Sequence, residues 1–319
     1  MKGKINMKKK TNNIKLISTG KYIPNDVITN EDLEKIVDTS DEWIYTRTGI
    51  KERRRAKDET TSDMATNAAL DAINKVGYDK NKIDIIIVAT FTPDVASPSV
   101  ANLVQAKLGL NDRDVVCFDI NAACTGFIYA LNVASQMLNA GFYNSALVIG
   151  SESLTKVVNF QDRNTCVLFG DGAGAFIIEN TEENKPAYFY TSSKGDLEEV
   201  IIVDPLIRME GRKVYHFATK ILEKSVNEVL EKSNTSIEEI AMLIPHQANA
   251  RIIESAAKSL NLGLDKVYMN IDKYGNTSSA SIPIAVDEYL ATLEDKQDKK
   301  LVLVGFGAGF TWGAALLTL

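Results

Sequence analysis

The sequence predicts an α/β protein with largely parallel, buried strands, assembled from two copies of one half. Short β-branched runs alternate with longer amphipathic segments, the pattern of strands joined by helical crossovers. The order strand, helix, strand, helix, strand occurs twice, at a spacing too long for a solenoid. At 319 residues the chain also exceeds the roughly 250–300 residues over which one hydrophobic core keeps growing.

The opening MKGKINMKKKTNNIKL is basic and lacks the apolar core and small-residue cleavage site of a secretory signal, so residues 1–12 are expected to be a flexible, solvated leader. SDMATNAALDAINKVG (62–77) and GFIYALNVASQMLNAG (126–141) have helical periodicity. Around them IDIIIVAT (83–90), DVVCFDI (114–120), SALVIGSES (145–153) and CVLFGDGAGAFII (166–178) read as strands. TEENKPAYFYTSSKGDLEEV (181–200) is polar and turn-rich, which places a boundary near residue 182 and divides the chain into 13–182 and 183–319. In the second half IEEIAMLIPHQA (237–248) reads as a helix end entering a strand. ANARIIESAAKSLNL (248–262) reads as a helix, KVYMNI (266–271) as a strand and SASIPIAVDEYLATLE (279–294) as a helix. KLVLVGFGAGF (300–310) reads as a strand closing in a glycine turn.

Composition narrows the function. The formal net charge of -6 carries no basic footprint for nucleic acid. The longest apolar stretches, such as Ile85–Ala89 and Leu301–Val304, are far shorter than the roughly 20 residues that span a bilayer. Three cysteines with no CxxC pair argue against a disulfide framework and against zinc, and predict a reducing, cytoplasmic setting.

Four junctions between elements carry candidate chemistry. Cys124 lies in FDINAACTGFIYAL, where a strand ends and a helix begins near Gly126. Unpaired helix N–H groups there are expected to stabilise a thiolate and lower its pKa from about 8.5 toward 7. Cys117 and Cys166 fall within strands and read as small buried hydrophobes. Of the two histidines, His246 follows a strand in MLIPHQANARII, whereas His216 in GRKVYHFATKIL reads as a surface or entrance residue. Cys124 and His246 thus both stand at carboxyl ends of strands, where open α/β sheets bind ligands. Asn276, in KYGNTSSASIPIA, reads by default as a turn former or cap, and VGFGAGFTWG (304–313) as a turn whose amides can approach a ligand.

Six segments together resemble the β-ketoacyl-acyl carrier protein synthase III family, within the thiolase-like superfamily. They are TSDEWIYTRTGIKER (39–53), AACTGF (122–127), DRNTCVLFGDGAGA (162–175), PHQAN (245–249), YGNTSSAS (274–281) and GFGAGFTWG (305–313), in the family's order over almost the whole chain. The resemblance implies a five-layer αβαβα fold and a catalytic Cys124, His246 and Asn276. It implies an oxyanion hole formed by the backbone amides of Cys124 and Ala308. Many relatives have glycine at that last position, and alanine is acceptable if the turn has ordinary φ. CoA contacts carry over as Trp43 and Arg163, which stack on either side of the adenine, with Arg47, Thr48 and Asn249, although Arg47 can instead pair with Glu42 or Asp41. Arg251 and Lys258, seven residues apart on one helix face, are expected to meet the acidic carrier protein.

The implied partners are acyl-CoA and malonyl-acyl carrier protein, with a family-like homodimer, no metal and no redox cofactor, because decarboxylation drives carbon–carbon bond formation. Two features depart from the family. The stretch 192–209 is about ten residues shorter than in well-known relatives. Ser97 stands where many relatives place a phenylalanine that reaches the partner subunit's acyl pocket, so a longer or branched primer is expected to fit. Three alternatives stay open at this level: a cysteine hydrolase, a condensing enzyme of secondary metabolism and a silent CoA-binding module. The first calls for a CG(S/A)CW segment near the mature start, which this sequence does not contain.

Overall fold

The computed structural model describes residues 12–319. The expected leader therefore lies outside the described residues except for Asn12, which is the first residue of a strand. The first half of the chain runs β1 (Asn12–Tyr22), β2 (Asp26–Thr29), α1 (Asn30–Glu34), α2 (Asp41–Thr48), β3 (Glu52–Arg55), α3 (Thr61–Val76), β4 (Ile85–Ala89), α4 (Val100–Lys107), β5 (Val116–Ile120), α5 (Gly126–Asn139), β6 (Ser145–Glu152), α6 (Arg163–Cys166) and β7 (Gly172–Asn180). The second runs β8 (Pro186–Ser193), β9 (Ile201–Val203), β10 (Ile207–Met209), α7 (Gly211–Ser233), β11 (Ile240–Pro245), α8 (Ala250–Ser259), α9 (Ile271–Tyr274), α10 (Ser281–Ala291), β12 (Lys300–Gly307) and β13 (Thr311–Thr318).

Local chemistry sets the helix ends. Thr60 caps α3 by accepting from the Asp63 amide, while Asp63 accepts from the Thr60 amide in return, and Gly77 closes the helix in the left-handed region. Ser40 starts α2 by accepting from the Trp43 amide, Gly49 ends it in the left-handed region, and Ser99 starts α4.

The main sheet has the order β11-β12-β13-β8-β1-β7-β6-β4-β5. Among the described residues β1 and β8 meet over two residue pairs, Asn12 with Ala187 and Asn13 with Pro186. On either side of that seam the pattern repeats: β1-β7 and β7-β6 are antiparallel and β6-β4 parallel, just as β8-β13 and β13-β12 are antiparallel and β12-β11 parallel. α5 and α10 fill the space between the two halves of the sheet. Phe127, Leu131, Ile282 and Val286 form one cluster with Ile87 and Val148 from one side and Ile244 and Leu303 from the other. The alternate residues of the sheet, such as Ile86, Ile149, Val302 and Leu316, face the outer helices α3 and α4 or α7 and α8. Both faces being covered by helices is why these strands are apolar at successive positions. The result is the five-layer arrangement of helix, sheet, helix, sheet and helix. Among the described residues no helix is long and apolar enough to cross a membrane.

Two expected strands differ. Residues 163–166 form a helical turn, because the Asp162 side chain accepts from the Asn164 amide and caps it, so Cys166 is buried in α6 and the strand begins only at Gly172. KVYMNI is not a strand: only Val267 bridges to Leu243. Beyond it the Gln247 side chain takes the ladder's place, its Nε2 donating to the Tyr268 carbonyl (3.3 Å) and its Oε1 accepting from the Asn270 amide (3.1 Å).

Candidate active site

A cavity of about 940 Å³ opens where the carboxyl ends of the strands converge, and Cys124, His246, Asn276 and Ala308 all line it. Each comes from a different connection. Cys124 leads into α5 through a short 3-10 turn whose first residue, Ala123, is held at φ 47°. A non-glycine residue in that region is strained, as nucleophile turns often are. His246 follows β11, its amide donating to the Val304 carbonyl at 2.7 Å. Asn276 sits in a loop pinned on both sides, with its amide donating to Leu168 and its carbonyl accepting from Gly170.

The polar atoms are oriented by neighbours the sequence did not flag. His246 Nδ1 lies 2.7 Å from Ser281 Oγ, which also accepts from the Gln247 amide at 3.4 Å. If the Ser281 hydroxyl gives its proton to Nδ1, the ring proton stays on Nε2, the nitrogen left for a ligand. Burial depresses the His246 pKa to about 3, so the ring is neutral. Asn276 Oδ1 accepts from the Ser278 amide at 2.8 Å, which leaves its NH2 group as a donor. Ala308 has ordinary φ, so the alanine is accommodated there.

The expected acidic thiol is not what the resting pocket provides. Burial pushes Cys124 up to about 12, and the nearby Glu152 carboxyl adds to the rise. The desolvation cost of a thiolate outweighs the helix N–H groups, so the resting sulfur is a thiol. Ser278 Oγ stands 3.3 Å from it. The other two thiols lie elsewhere: Cys117, in β5, donates to Gln105 Oε1 at 3.3 Å and is pushed up to about 11 by burial.

The mouth of the cavity is aromatic and cationic. The guanidinium carbons of Arg47 and Arg163 lie 4.7 and 4.9 Å from the Trp43 ring centroid. Among the described residues Arg47 makes no ion pair with Glu42 or Asp41 and stacks instead. Arg163 donates to the Asp38 carbonyl at 2.7 Å. Thr48 and Asn249 line the cavity with their polar atoms engaged. The Thr48 hydroxyl donates to Ile44 and accepts from the Ile50 amide; Asn249 caps α8 and donates to the Arg47 carbonyl at 3.0 Å. The short 192–209 stretch forms the β9–β10 hairpin, whose Ile201, Val203 and Ile207 complete one wall. Arg251 and Lys258 are exposed on α8, Arg251 also donating to the Thr46 carbonyl at 2.8 Å. His216 is exposed on α7, outside this cavity. Ser97 is exposed and does not line the cavity of its own chain, so any part it has in an acyl pocket requires a second subunit.

Comparison with known proteins gives the family. Two family models match, 3-oxoacyl-[acyl-carrier-protein (ACP)] synthase III over residues 118–195 and its C-terminal part over 230–319. The chain is 53% identical over 305 residues to the beta-ketoacyl-[acyl-carrier-protein] synthase III of Acholeplasma laidlawii, covering 95% of this chain and 98% of that protein. The chain belongs to the 3-oxoacyl-[acyl-carrier-protein] synthase III family. The crystal structure of the synthase III from Aquifex aeolicus superposes with a TM-score of 0.93 at 48% identity, covering 96% of this chain and all of that one. The priming β-ketosynthase of the R1128 polyketide biosynthetic pathway superposes with a TM-score of 0.90 at 30% identity, covering 97% of each chain. Membership of the synthase III family, with its thiolase-like fold, removes the cysteine-hydrolase alternative.

Proposed function

We propose that this protein catalyses the decarboxylative condensation of an acyl-CoA primer with malonyl-acyl carrier protein, giving 3-oxoacyl-acyl carrier protein, CoA and CO2 and initiating fatty acid synthesis. The observation that carries the reading is the convergence of one thiol, one neutral imidazole and one amide donor on a single cavity with an aromatic, cationic mouth.

In the first half-reaction Cys124 attacks the thioester carbonyl, the backbone amides of Cys124 and Ala308 receive the oxyanion, and CoA leaves. In the second, malonyl thioester loses CO2 and its carbonyl oxygen takes up negative charge. His246 Nε2–H and the Asn276 NH2 group supply hydrogen bonds to that oxygen, and the carbanion attacks the acyl-cysteine. Neutrality of His246 suits this role, because a donor that keeps its proton stabilises the enolate without quenching it. Decarboxylation supplies the driving force, so the reading needs no metal or redox cofactor.

The CoA adenine is assigned to the space between Trp43 and Arg163. Two stacking intervals need about 7 Å, so the guanidinium must move outward from its resting 4.9 Å. Arg47, Thr48 and Asn249 shape the adjoining wall, and Arg251 with Lys258 offers a cationic face to the acidic carrier. We further take 13–182 and 183–319 as the two halves, the protein as a cytoplasmic homodimer, and Ser97 as facing the partner subunit's acyl pocket.

The test is intact-protein mass after mixing with acyl-CoA, followed by release of CO2 from malonyl thioester. Cys124→Ala is expected to abolish acyl labelling. His246→Ala and Asn276→Ala are expected to take the acyl group yet lose about 10²–10³-fold in decarboxylation. Equal loss of labelling in all three folded variants refutes the division of roles.

A further inference from the structure

We infer that Glu152, acting through the Ser278 hydroxyl, receives the thiol proton of Cys124 as the thioester is attacked. This deepens the synthase reading and rests on it. Glu152 ends β6, has no solvent exposure and does not itself line the cavity. Ser278 Oγ lies 3.3 Å from Cys124 Sγ and 3.4 Å from Glu152 Oε1, so one hydroxyl bridges nucleophile and carboxyl.

The surroundings of the carboxyl suggest why it is an acid and not an amide. Oε2 accepts from Thr92 Oγ1 (2.6 Å), Thr90 Oγ1 (3.1 Å) and the Phe91 amide (3.3 Å), and Oε1 faces Ser279 Oγ (3.0 Å). Every one of these partners is neutral, and a glutamine would satisfy them. A buried carboxylate without a cation is costly, so a purely structural role gives no reason for one. Burial raises its pKa to about 7, where it is divided between acid and base near neutral pH.

The bridge itself is rigidly held. Ser278 adopts φ 49°, its amide donates to Asn276 Oδ1, and the following turn lies directly on Gly150, where a Cβ would meet the Ser279 carbonyl oxygen at 2.3 Å. A serine proton can serve only one acceptor at a time. At rest the Ser278 hydroxyl is placed to donate to either Cys124 Sγ or Glu152 Oε1, and the relay runs from the arrangement in which its proton points at Oε1 and leaves Oγ free to accept from the thiol. On attack the Sγ–H bond breaks, Oγ gains that proton and passes its own to Oε1, and the sulfur electron pair forms the bond to the acyl carbon. When the tetrahedral adduct collapses, the departing CoA sulfur takes the proton back through Ser278, which restores the carboxylate.

The other titratable groups nearby do not share this position. His246, across the cavity, is neutral above about pH 3. Asp171, at the head of β7, has its oxygens taken by Thr155 and the Ala56 amide. Arg47 and Arg163 stand at the mouth.

The experiment measures the rate of acyl labelling by acetyl-CoA, by intact mass, from about pH 5.5 to 10 in the wild type, Glu152→Gln and Ser278→Ala. The wild type is expected to rise to a plateau with a limb near pH 7. Both variants are expected to be at least about tenfold slower at neutral pH and to keep rising into alkali, as unassisted thiol ionisation requires. A folded variant with the wild-type rate and plateau overturns the inference, and so does a wild-type profile without that limb, which needs no variant at all. If the wild type takes up no acyl group, the synthase reading is what fails. Alkylation of Cys124 by iodoacetamide over the same range then still decides the relay, since the relay predicts the same limb and its absence refutes it.

Discussion

Gly307→Ala tests how tightly the nucleophile turn is held. Gly307 ends β12 beside the turn that carries Cys124, and its φ is ordinary, so conformational freedom is not what it supplies. Space is. A Cβ built there would lie 2.7 Å from the Cys124 backbone nitrogen, 3.2 Å from Ala123 Cβ and 3.2 Å from Thr311 Oγ1. The first of these is a backbone atom, so relief requires either the Cys124 turn or the GFGAGF strand end to retreat by several tenths of an ångström. Overpacking of this kind costs about 1–3 kcal/mol of stability. Its larger effect falls on the oxyanion donors, which act only within about 2.7–3.1 Å of the developing charge. Loss of one donor corresponds to a fall of about 10²–10³-fold in acylation. Single-turnover acylation by intact mass, with thermal unfolding to show that the variant is folded, measures both. Gly195→Ala is the control, because nothing lies within 4 Å of the added methyl. Should folded Gly307→Ala acylate within about threefold of wild type, the turn is not the close-fitting donor site described above.

Two other expectations concern substrates. Trp43→Ala is expected to weaken CoA binding roughly 5- to 100-fold, the value of one stacked base, while the labelling rate at saturating acyl-CoA holds; titration calorimetry with unchanged affinity refutes it. Acetyl, isobutyryl and octanoyl primers are expected all to be accepted, since the Ser97 side chain is small; strict acetyl preference in a primer comparison removes that assignment.

The candidate site was legible as residue types at junctions. AACTGF and PHQAN place a polar side chain where a strand runs into a helix, GNTSSAS places one in the turn before a helix, and the structure brings all three to one cavity. The residues that orient them were not legible. Ser278 and Ser281 look like ordinary turn and helix-start serines in the sequence, and Glu152 looks like the polar end of a strand. Only packing puts Ser281 on the imidazole and places Ser278 between the thiol and Glu152. Gln247 is similar: nothing in PHQAN announces that its amide will stand in for a strand partner and leave KVYMNI with a single bridge.

By itself the sequence determined the fold class, the repeated order of elements and the identity of the reacting groups, because periodicity, capping residues and short motifs act over a few neighbouring positions. The state of those groups was decided by tertiary structure. Helix N–H groups local to Cys124 argued for a thiolate, whereas burial beneath the converging strands, a sum over distant elements, makes it a thiol and makes His246 neutral. Desolvation depends on everything that surrounds an atom, and that becomes defined only when the two halves close on each other.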